Sequence, residues 1–381
     1  YPLPSEWSWQ FAYQNEPSRR NIFAAGRIFT ELLHERHDAI VADPDAAALF
    51  FVPVLPYHIG SNLWDPRQYL SLVVRYISSR YPFWNRTIGA DHIFFTTQDI
   101  GGCWTPTALK RSIVISHFGF TRSEHAWMNT SLWNLALEDW WAWRKALDSQ
   151  SPSQHPCYTV GKDIAAPVSF SVSASDLQRA EQQFECDCAG RPECPRQQRA
   201  LLYMSGSVET PAPWYSQGVR AKFLELHKDT PGVYFEVGDW AVADLLKATF
   251  CLAPSGWGYG WRTYVALAML CIPVVIQPLV EQAYHELLPY PELVLTYDPV
   301  DIPRLPELLR AVDAQTVCRM RRAALRYRRL LIWDGPQGLA YEGLLLLLCH
   351  RAAALHTQAG RPPQPWMACS GTTAAHLLDN A

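Results

Sequence analysis

The sequence predicts an α/β protein with a parallel sheet and enough length for two domains. Residues 248–276 follow the order strand, glycine-rich loop, helix and strand, which is the order that parallel sheets repeat. The last strand of this unit, 272–276, is β-branched and apolar on both faces, as expected of a strand buried in a parallel sheet. A chain of 381 residues exceeds one ordinary domain and suits two, each with its own core.

The loop after strand 248–252 carries the clearest sign of a binding site. Glycine lets a backbone bend and brings bare N–H groups close to a ligand. A helix that begins at Arg262 would direct its positive end and a guanidinium at the loop, which suits a diphosphate. A tight structural turn and a structural salt bridge of Arg262 are the alternatives. The loop residues in question are Ser255, Gly256, Gly258 and Gly260.

Composition places the chain among secretory proteins rather than nucleic-acid binders. The net charge of -3 offers no electrostatic basis for binding nucleic acid, whereas 16 Trp, 17 Tyr and 15 Phe suit stacking on sugar rings. The ten cysteines and the two glycosylation sequons, at Asn85 and Asn129, both indicate a protein of the secretory pathway. No signal peptide or membrane span is visible, so we expect a membrane contact only through an anchor outside this chain.

Three cysteines lie in the polar stretch 168–199, which we expect to connect the two domains. Their spacing favours a small loop closed by disulfides over a zinc site, because Cys-x-Cys is not the usual zinc hairpin and no histidine is near. The pairing is left open. The cysteines are Cys186, Cys188 and Cys194.

Polar residues follow several predicted strands, where sites form in open α/β sheets. Strand 93–97 is followed by Asp99, and strand 113–115 by His117. Further elements are a helix at 65–80, a strand at 293–295, a solvent-facing basic helix at 319–329, a helix at 341–355 and a loose tail after residue 360.

Several ordered blocks resemble the exostosin-like glycosyltransferases of family 47. The strongest are FCLAPSGWGYGWR at 250–262 followed by CIPVVI at 271–276, and the block from Trp84 to Gly101 that contains DHI. Weaker matches are DPDAAALFFVP at 43–53 and CYTVGKDIAAP at 157–167. The resemblance extends over about residues 43–309, and its form is similar to plant and green-algal members.

This resemblance implies the GT-B fold, in which two Rossmann-like domains face each other across a cleft. The first domain, 1–167, would hold the acceptor, and the second, 200–340, the nucleotide sugar. Residues 168–199 would connect them, and 341–381 would form a final helix and tail. Gly206 and Arg220 would then contact the donor phosphates together with the glycine loop and Arg262.

The resemblance also implies an inverting transfer from a UDP-sugar to a cell-wall polysaccharide or glycoprotein glycan in the Golgi lumen. Such enzymes need neither a metal nor another cofactor, because dipoles and cations neutralise the diphosphate. One general base must take the acceptor proton. Asp99 is the first candidate, before His92 and His117, although each of the three residues also suits a structural role. A homodimer or heterodimer is left open.

Three departures from the family pattern keep a second function open. Gln98 stands where histidine is common, Ile100 where tryptophan is common, and Val265 where an acid or amide is common. A catalytically silent relative that binds carbohydrate or serves as a scaffold would tolerate these changes. A glycoside hydrolase has less support, because it would need two carboxylates at a defined separation and would leave the phosphate-shaped loop unused.

Overall fold

In the computed structural model, helices and strands alternate as the α/β prediction requires. The structure describes residues 3, 21–37, 39–57, 62, 64–128, 155–189, 199–208, 214–236, 241–335, 337–362 and 364–379. The strands are β1 (Phe50–Phe51), β2 (His92–Thr96), β3 (Ile113–Ser116), β4 (Gly119–Phe120), β5 (Ile164–Ala165), β6 (Ala200–Ser205), β7 (Val233–Glu236), β8 (Ala248–Pro254), β9 (Ile272–Ile276), β10 (Val280–Glu281) and β11 (Leu295–Thr296). The helices are α1 (Ala25–Arg36), α2 (Arg67–Arg80), α3 (Phe83–Thr87), α4 (Glu124–Met128), α5 (Ala174–Ala189), α6 (Val219–His227), α7 (Arg262–Ala268), α8 (Tyr290–Leu293), α9 (Leu305–Arg310), α10 (Ala314–Tyr327), α11 (Ala340–Gln358) and α12 (Ala374–Asp379).

Two parallel sheets organise these elements, as GT-B proteins require. The first sheet has the strand order β1, β2, β3, β5, and the second has the order β11, β9, β8, β6, β7. Every strand pair in both sheets is parallel. We call the chain up to β5 the first half and the chain from β6 the second half.

The sheets form where apolar side chains recur at the right period. Along α2, buried residues at three- and four-residue spacing, such as Leu70, Val73 and Ile77, cover the first sheet, and the extended Tyr81 before Pro82 ends the helix. The central strands β8 and β9 are buried almost throughout. Each fully buried aliphatic side chain there contributes about 1.5–3 kcal/mol.

The two halves contact each other directly. Strand β4 of the first half pairs antiparallel with β10 of the second, with Phe120 opposite Val280. Helix α11 returns to the first half, where Arg351 Nη2 donates to the carbonyl oxygen of Asp163 at 3.0 Å. These contacts fix how the loops at the carboxyl ends of the two sheets meet.

The stretch 168–199 differs from the expected connection, because it contains the sixteen-residue helix α5. The Ser173 hydroxyl accepts a hydrogen bond from the N–H of Asp176 at 3.0 Å, which caps the helix start. The predicted small disulfide loop is also wrong for Cys188, which pairs with Cys318 in α10. The other disulfides between described cysteines join Cys103 to Cys157, Cys251 to Cys271 and Cys349 to Cys369.

The basic helix α10 does not simply face solvent. Arg321 and Arg328, in and just after this helix, are 3% and 4% exposed. They pair with carboxylates of α5: Arg321 Nη1 lies 2.8 Å from Asp187 Oδ2, and Arg328 contacts Glu181. Because a buried guanidinium needs a partner, α5 and α10 are held together by charge as well as by the disulfide.

Two further local predictions are wrong. Residues 293–295 end the short helix α8 and begin β11, because Pro291 at the second helical position favours a helical start. The tail after residue 360 is not uniformly loose, since Cys369 is bonded to Cys349 of α11 and the helix α12 follows.

Within the described ranges, no helix has the length and apolar character needed to cross a membrane.

Candidate functional site

The glycine loop leaves the carboxyl end of β8, the central strand of the second sheet. Helix α7 begins at Arg262 as predicted, and its seven residues are all buried. Cys251 in β8 is bonded to Cys271 just before β9, so both ends of the unit are fixed. The loop is therefore positioned by buried strands and a disulfide rather than by its own contacts alone.

Arg220 of α6 and Arg262 of α7 converge beside Gly206, the residue after β6. A Cβ at Gly206 would overlap the Arg262 guanidinium and lie 3.3 Å from Arg220 Nη1. Gly206 has φ +118, a conformation that other residues rarely adopt. The structure thus brings together three residues that the sequence predicted as donor contacts, although they are separated by up to 56 positions.

The two guanidinium groups form a buried positive site. Burial, and then the neighbouring Arg220 charge, lower the pKa of Arg262 to about 10. Arg220 bonds neutral oxygens among the described residues, with Nε 3.1 Å from the Ser255 carbonyl and Nη1 2.7 Å from the Tyr215 hydroxyl. Two buried like charges repel each other, so an anion placed between them would be strongly favoured.

Buried polar atoms near this pair lack hydrogen-bond partners in the described part of the chain. They are Ser216 Oγ, Ser255 Oγ and both polar side-chain atoms of Gln217. Ser216 and Gln217 also have positive φ, at 56° and 46°. Unpaired buried groups on a strained backbone are typical of ligand sites. Sequence reasoning identified Ser255 but missed Ser216 and Gln217, which lie in a stretch with no motif.

The three loop glycines have different surroundings. Gly256 N–H donates to the Tyr259 carbonyl at 3.2 Å, so this amide is already engaged. A Cβ at Gly260 would overlap Gln277 Nε2, and one at Gly258 would overlap the carbonyl oxygen of Asp99 in the first half. Close packing therefore explains why positions 258 and 260 require glycine. The predicted contacts of Gly258 and Gly260 with a donor stay predictions.

Asp99 lies three residues past β2 and directly against the glycine loop. Its backbone N–H donates to Asn62 Oδ1 at 2.9 Å, and its Oδ2 accepts from Asn62 Nδ2 at 2.8 Å. Burial raises the pKa of Asp99 to about 6, although the residue remains partly exposed. A carboxylate of this kind is basic enough to accept a proton near neutral pH. No local sequence signal identified Asn62.

Consecutive loop residues dock on the first half around Asp99. The Trp257 carbonyl accepts a hydrogen bond from Trp127 Nε1 at 2.9 Å. The next residue, Gly258, lies against the backbone of Asp99. The Tyr259 ring then packs edge-on against the His117 ring, with centroids 5.3 Å apart. The donor-side loop and the candidate base thus share one interface.

His117 lies at this interface in a neutral form. Its Nδ1 bonds the Ala166 carbonyl at 2.9 Å, and its Nε2 is buried with no partner among the described residues. Burial lowers the pKa of His117 to about 4, so the ring is uncharged at neutral pH. The wholly buried ring packs at the interface, and its predicted catalytic role stays a prediction.

His92 is not brought to the site. It begins β2, at the opposite end of the strand from Asp99. Its ring is fully buried, stacks on Phe50 with centroids 5.1 Å apart, and lies 2.7 Å from Asp91 Oδ1 through Nδ1. His92 and Asp99 lie in one block of the sequence, but they stand at opposite ends of β2 in the structure.

The three positions that depart from the family pattern are packing positions. Gln98 is buried and its Nε2 donates to the Trp64 carbonyl at 3.2 Å, while Ile100 and Val265 lie in the core. Of the two sequons, Asn85 is exposed in α3, and Asn129 lies outside the described residues.

Comparisons with known proteins agree with this geometry. The Exostosin GT47 domain model matches residues 1–312. A probable glucuronoxylan glucuronosyltransferase of Arabidopsis thaliana is 25% identical over 367 residues, which cover 88% of this chain and 68% of the relative. A probable beta-1,4-xylosyltransferase of Arabidopsis thaliana is 24% identical over 396 residues, which cover 97% of this chain and 86% of the relative. The solved structure of TarM gives a TM-score of 0.32 at 9% identity over 73% of this chain and 58% of TarM, too low to inform the fold. Because the family model spans most of the chain, the protein belongs to the exostosin GT47 family of glycosyltransferases.

Proposed function

We propose that this protein transfers a sugar from a UDP-sugar to a glycan acceptor with inversion, without a metal or other cofactor. The observation that carries the proposal is the buried Arg220 and Arg262 pair lying across one loop from Asp99. The close approach of Gly258 to Asp99 supports this proposal, because the loop that carries Gly258 then separates the arginine pair from a carboxylate whose pKa is raised to about 6.

On the donor side, the guanidinium pair would neutralise the diphosphate of the leaving UDP. Ser216, Gln217 and Ser255 offer buried polar atoms that such a ligand would satisfy. Preorganised cations and dipoles stabilise charge that develops as the sugar departs, which is the task a metal performs in other enzymes. The pair therefore supports the metal-independent chemistry.

On the acceptor side, Asp99 would act as the general base. The acceptor hydroxyl oxygen attacks the anomeric carbon, its proton passes to Asp99, and the bond from the sugar to the diphosphate oxygen breaks. Attack from the face opposite the leaving group inverts the configuration. Asn62 fixes the carboxylate through its bond to Oδ2, and Tyr259 and His117 keep water from the loop side.

The names of the relatives support a proposal for the acceptor class. One is named a probable glucuronoxylan glucuronosyltransferase and another a probable beta-1,4-xylosyltransferase. We infer a cell-wall polysaccharide acceptor for this chain, with a glycoprotein glycan as the other class. Disulfides persist in oxidising compartments, which supports a place in the Golgi lumen.

Calorimetric titration with UDP in EDTA tests the donor site. The wild-type protein should bind UDP, and Arg262→Ala should weaken binding by at least about tenfold, since a charge-assisted contact contributes roughly 1.5–3 kcal/mol. Arg319→Ala removes an exposed arginine of α10 and serves as the matched control. Unchanged affinity in Arg262→Ala would contradict the phosphate site.

A transfer assay tests the rest of the proposal. UDP release should depend on one of UDP-glucuronic acid, UDP-xylose, UDP-galactose or UDP-arabinose together with a polysaccharide acceptor. Asp99→Asn should abolish turnover and retain UDP binding. Well-folded wild-type protein that binds no UDP and releases none would instead identify a silent carbohydrate-binding relative.

A further inference from the structure

A pocket of about 500 Å³ lies between the end of α5 and the first half of α10. Two exposed arginines of α10, Arg319 and Arg322, line it, and the exposed Arg326 follows one turn further along the helix. None of these residues belongs to the proposed donor site or to the surroundings of Asp99. We propose that the pocket and this arginine row bind an acidic polysaccharide through its carboxylate groups. The inference goes beyond the proposed function, because a silent relative would keep the same surface.

The arginine row arises from the helical period. Positions 319, 322 and 326 follow one another at three- and four-residue spacing, so their side chains leave one face of α10. Arg321 and Arg328 lie on the opposite face and are buried against carboxylates of α5. From position 319 to position 326 the row extends about 10 Å, at about 1.5 Å per residue. A row of this length suits an extended ligand with several charges rather than a single ion.

The arginines of the row are available to a ligand. Arg319 Nη2 donates to the Thr316 hydroxyl at 3.3 Å, and neither Arg319 nor Arg322 forms an ion pair with a carboxylate of the described ranges. Arg326 Nη2 lies 3.0 Å from Asp379 Oδ1, but the two side chains are 51% and 66% exposed. Ion pairs between such exposed side chains are weak, so a ligand carboxylate can replace Asp379.

The charge behind the pocket wall is positive as well. Asp187 is the only carboxylate among the described lining residues, and its Oδ2 already accepts from Arg321 Nη1 at 2.8 Å and from Arg199. With the two lining arginines, four guanidinium groups thus share one carboxylate. Burial, and then the Arg321 charge, lower the pKa of Arg199 to about 10, because the neighbouring cations repel each other. Asp313 caps the helix start through the Thr316 N–H at 2.8 Å and does not line the pocket. An anion in the pocket would relieve the repulsion.

The rest of the wall favours carbohydrate over protein as the ligand. Besides its charged residues, the described lining consists of Ala314, Gln315 and the disulfide between Cys188 and Cys318. Protein partners are usually anchored by aromatic side chains in well-packed pockets, and this wall offers no aromatic or large aliphatic surface. A guanidinium fork matches a carboxylate, and the Gln315 amide can both donate to and accept from sugar hydroxyls. A chain of uronic acid residues carries both kinds of group.

Three matched oligomers test the site in calorimetric titrations of the full chain at low salt. Hexagalacturonate carries sugar and charge, its fully methyl-esterified form keeps the sugar without the charge, and hexaglutamate keeps the charge without the sugar. Hexagalacturonate should bind at least about fivefold more tightly than either of the others. Arg319→Gln and Arg322→Gln should each weaken its binding about three- to fivefold, and the double variant more than about tenfold. Arg304→Gln, which removes an arginine that is 65% exposed elsewhere in the second half, should bind like wild type.

UDP titrations separate this site from the donor site. The double variant should bind UDP like wild type, and Arg262→Ala should keep hexagalacturonate binding while it loses UDP. Hexagalacturonate binding by a wild-type protein that binds no UDP would overturn the proposed function and leave the arginine site standing.

Several results would refute the arginine site. These are no binding of hexagalacturonate, equal binding of its ester, wild-type binding by the double variant, or loss of hexagalacturonate binding in Arg262→Ala, which would place the oligomer at the donor pair. Equal or tighter binding of hexaglutamate would identify a surface for acidic protein segments and would overturn the choice of a polysaccharide.

Discussion

Replacing Gly258 by alanine tests whether the donor loop must lie directly against the candidate base. The added Cβ would overlap the Asp99 carbonyl oxygen and lie 3.0 Å from Ile100 Cγ2. Neither neighbour can yield easily, since one is backbone and the other belongs to a side chain that is 4% exposed. The loop itself has to retreat from Asp99.

The expected effect is larger on catalysis than on folding. Overpacking of this kind costs about 1–3 kcal/mol of stability. A displacement on the order of 1 Å between reacting groups lowers the rate by about 100-fold. Retreat of the loop also admits water to Asp99, so its pKa should fall from about 6 toward the ordinary value of 3.8.

The assay is the pH profile of kcat, with Gly256→Ala as the matched control. A Cβ at Gly256 would meet only ordinary contacts, 3.6 Å from the Tyr259 carbonyl and 3.8 Å from Arg220 Nη2. Wild type and Gly256→Ala should lose activity as pH falls through about 6, and Gly258→Ala should show a lower kcat with this limb shifted to more acidic pH. UDP binding should persist in both variants. A wild-type profile in Gly258→Ala would refute the coupling of loop and base.

Two other predictions concern stability. Burial makes Asp99 hold its proton more tightly in the folded protein, so the free energy of unfolding should fall as pH rises from about 3.8 to about 6. Asp99→Asn removes this penalty and should therefore raise Tm by a few degrees at pH 7, with little effect near pH 3.5. Equal shifts at both pH values would contradict this. Cys188→Ser should lower the free energy of unfolding by about 2–5 kcal/mol in guanidinium, because it removes the covalent link between α5 and α10. An unchanged midpoint would show that the ion pairs suffice.

Patterns over short windows predicted much of the fold. The unit 248–276 was identified correctly because apolar runs and glycines specify strand, loop and helix within a few residues. The start of α7 at Arg262 followed from the same pattern. The strand predicted at 293–295 from three apolar residues was wrong, because Pro291 favours the start of the short helix α8.

The sequence by itself determined the α/β class, the family and most of the charged and glycine residues of the candidate site. Only the tertiary structure showed that Gly258 lies against Asp99, that Asn62 holds the carboxylate, that His92 is at the far end of its strand, and that Cys188 pairs with Cys318. The physical reason is that periodicity and turn chemistry act between near neighbours, whereas these contacts depend on how two sheets and their covering helices pack across long stretches of chain.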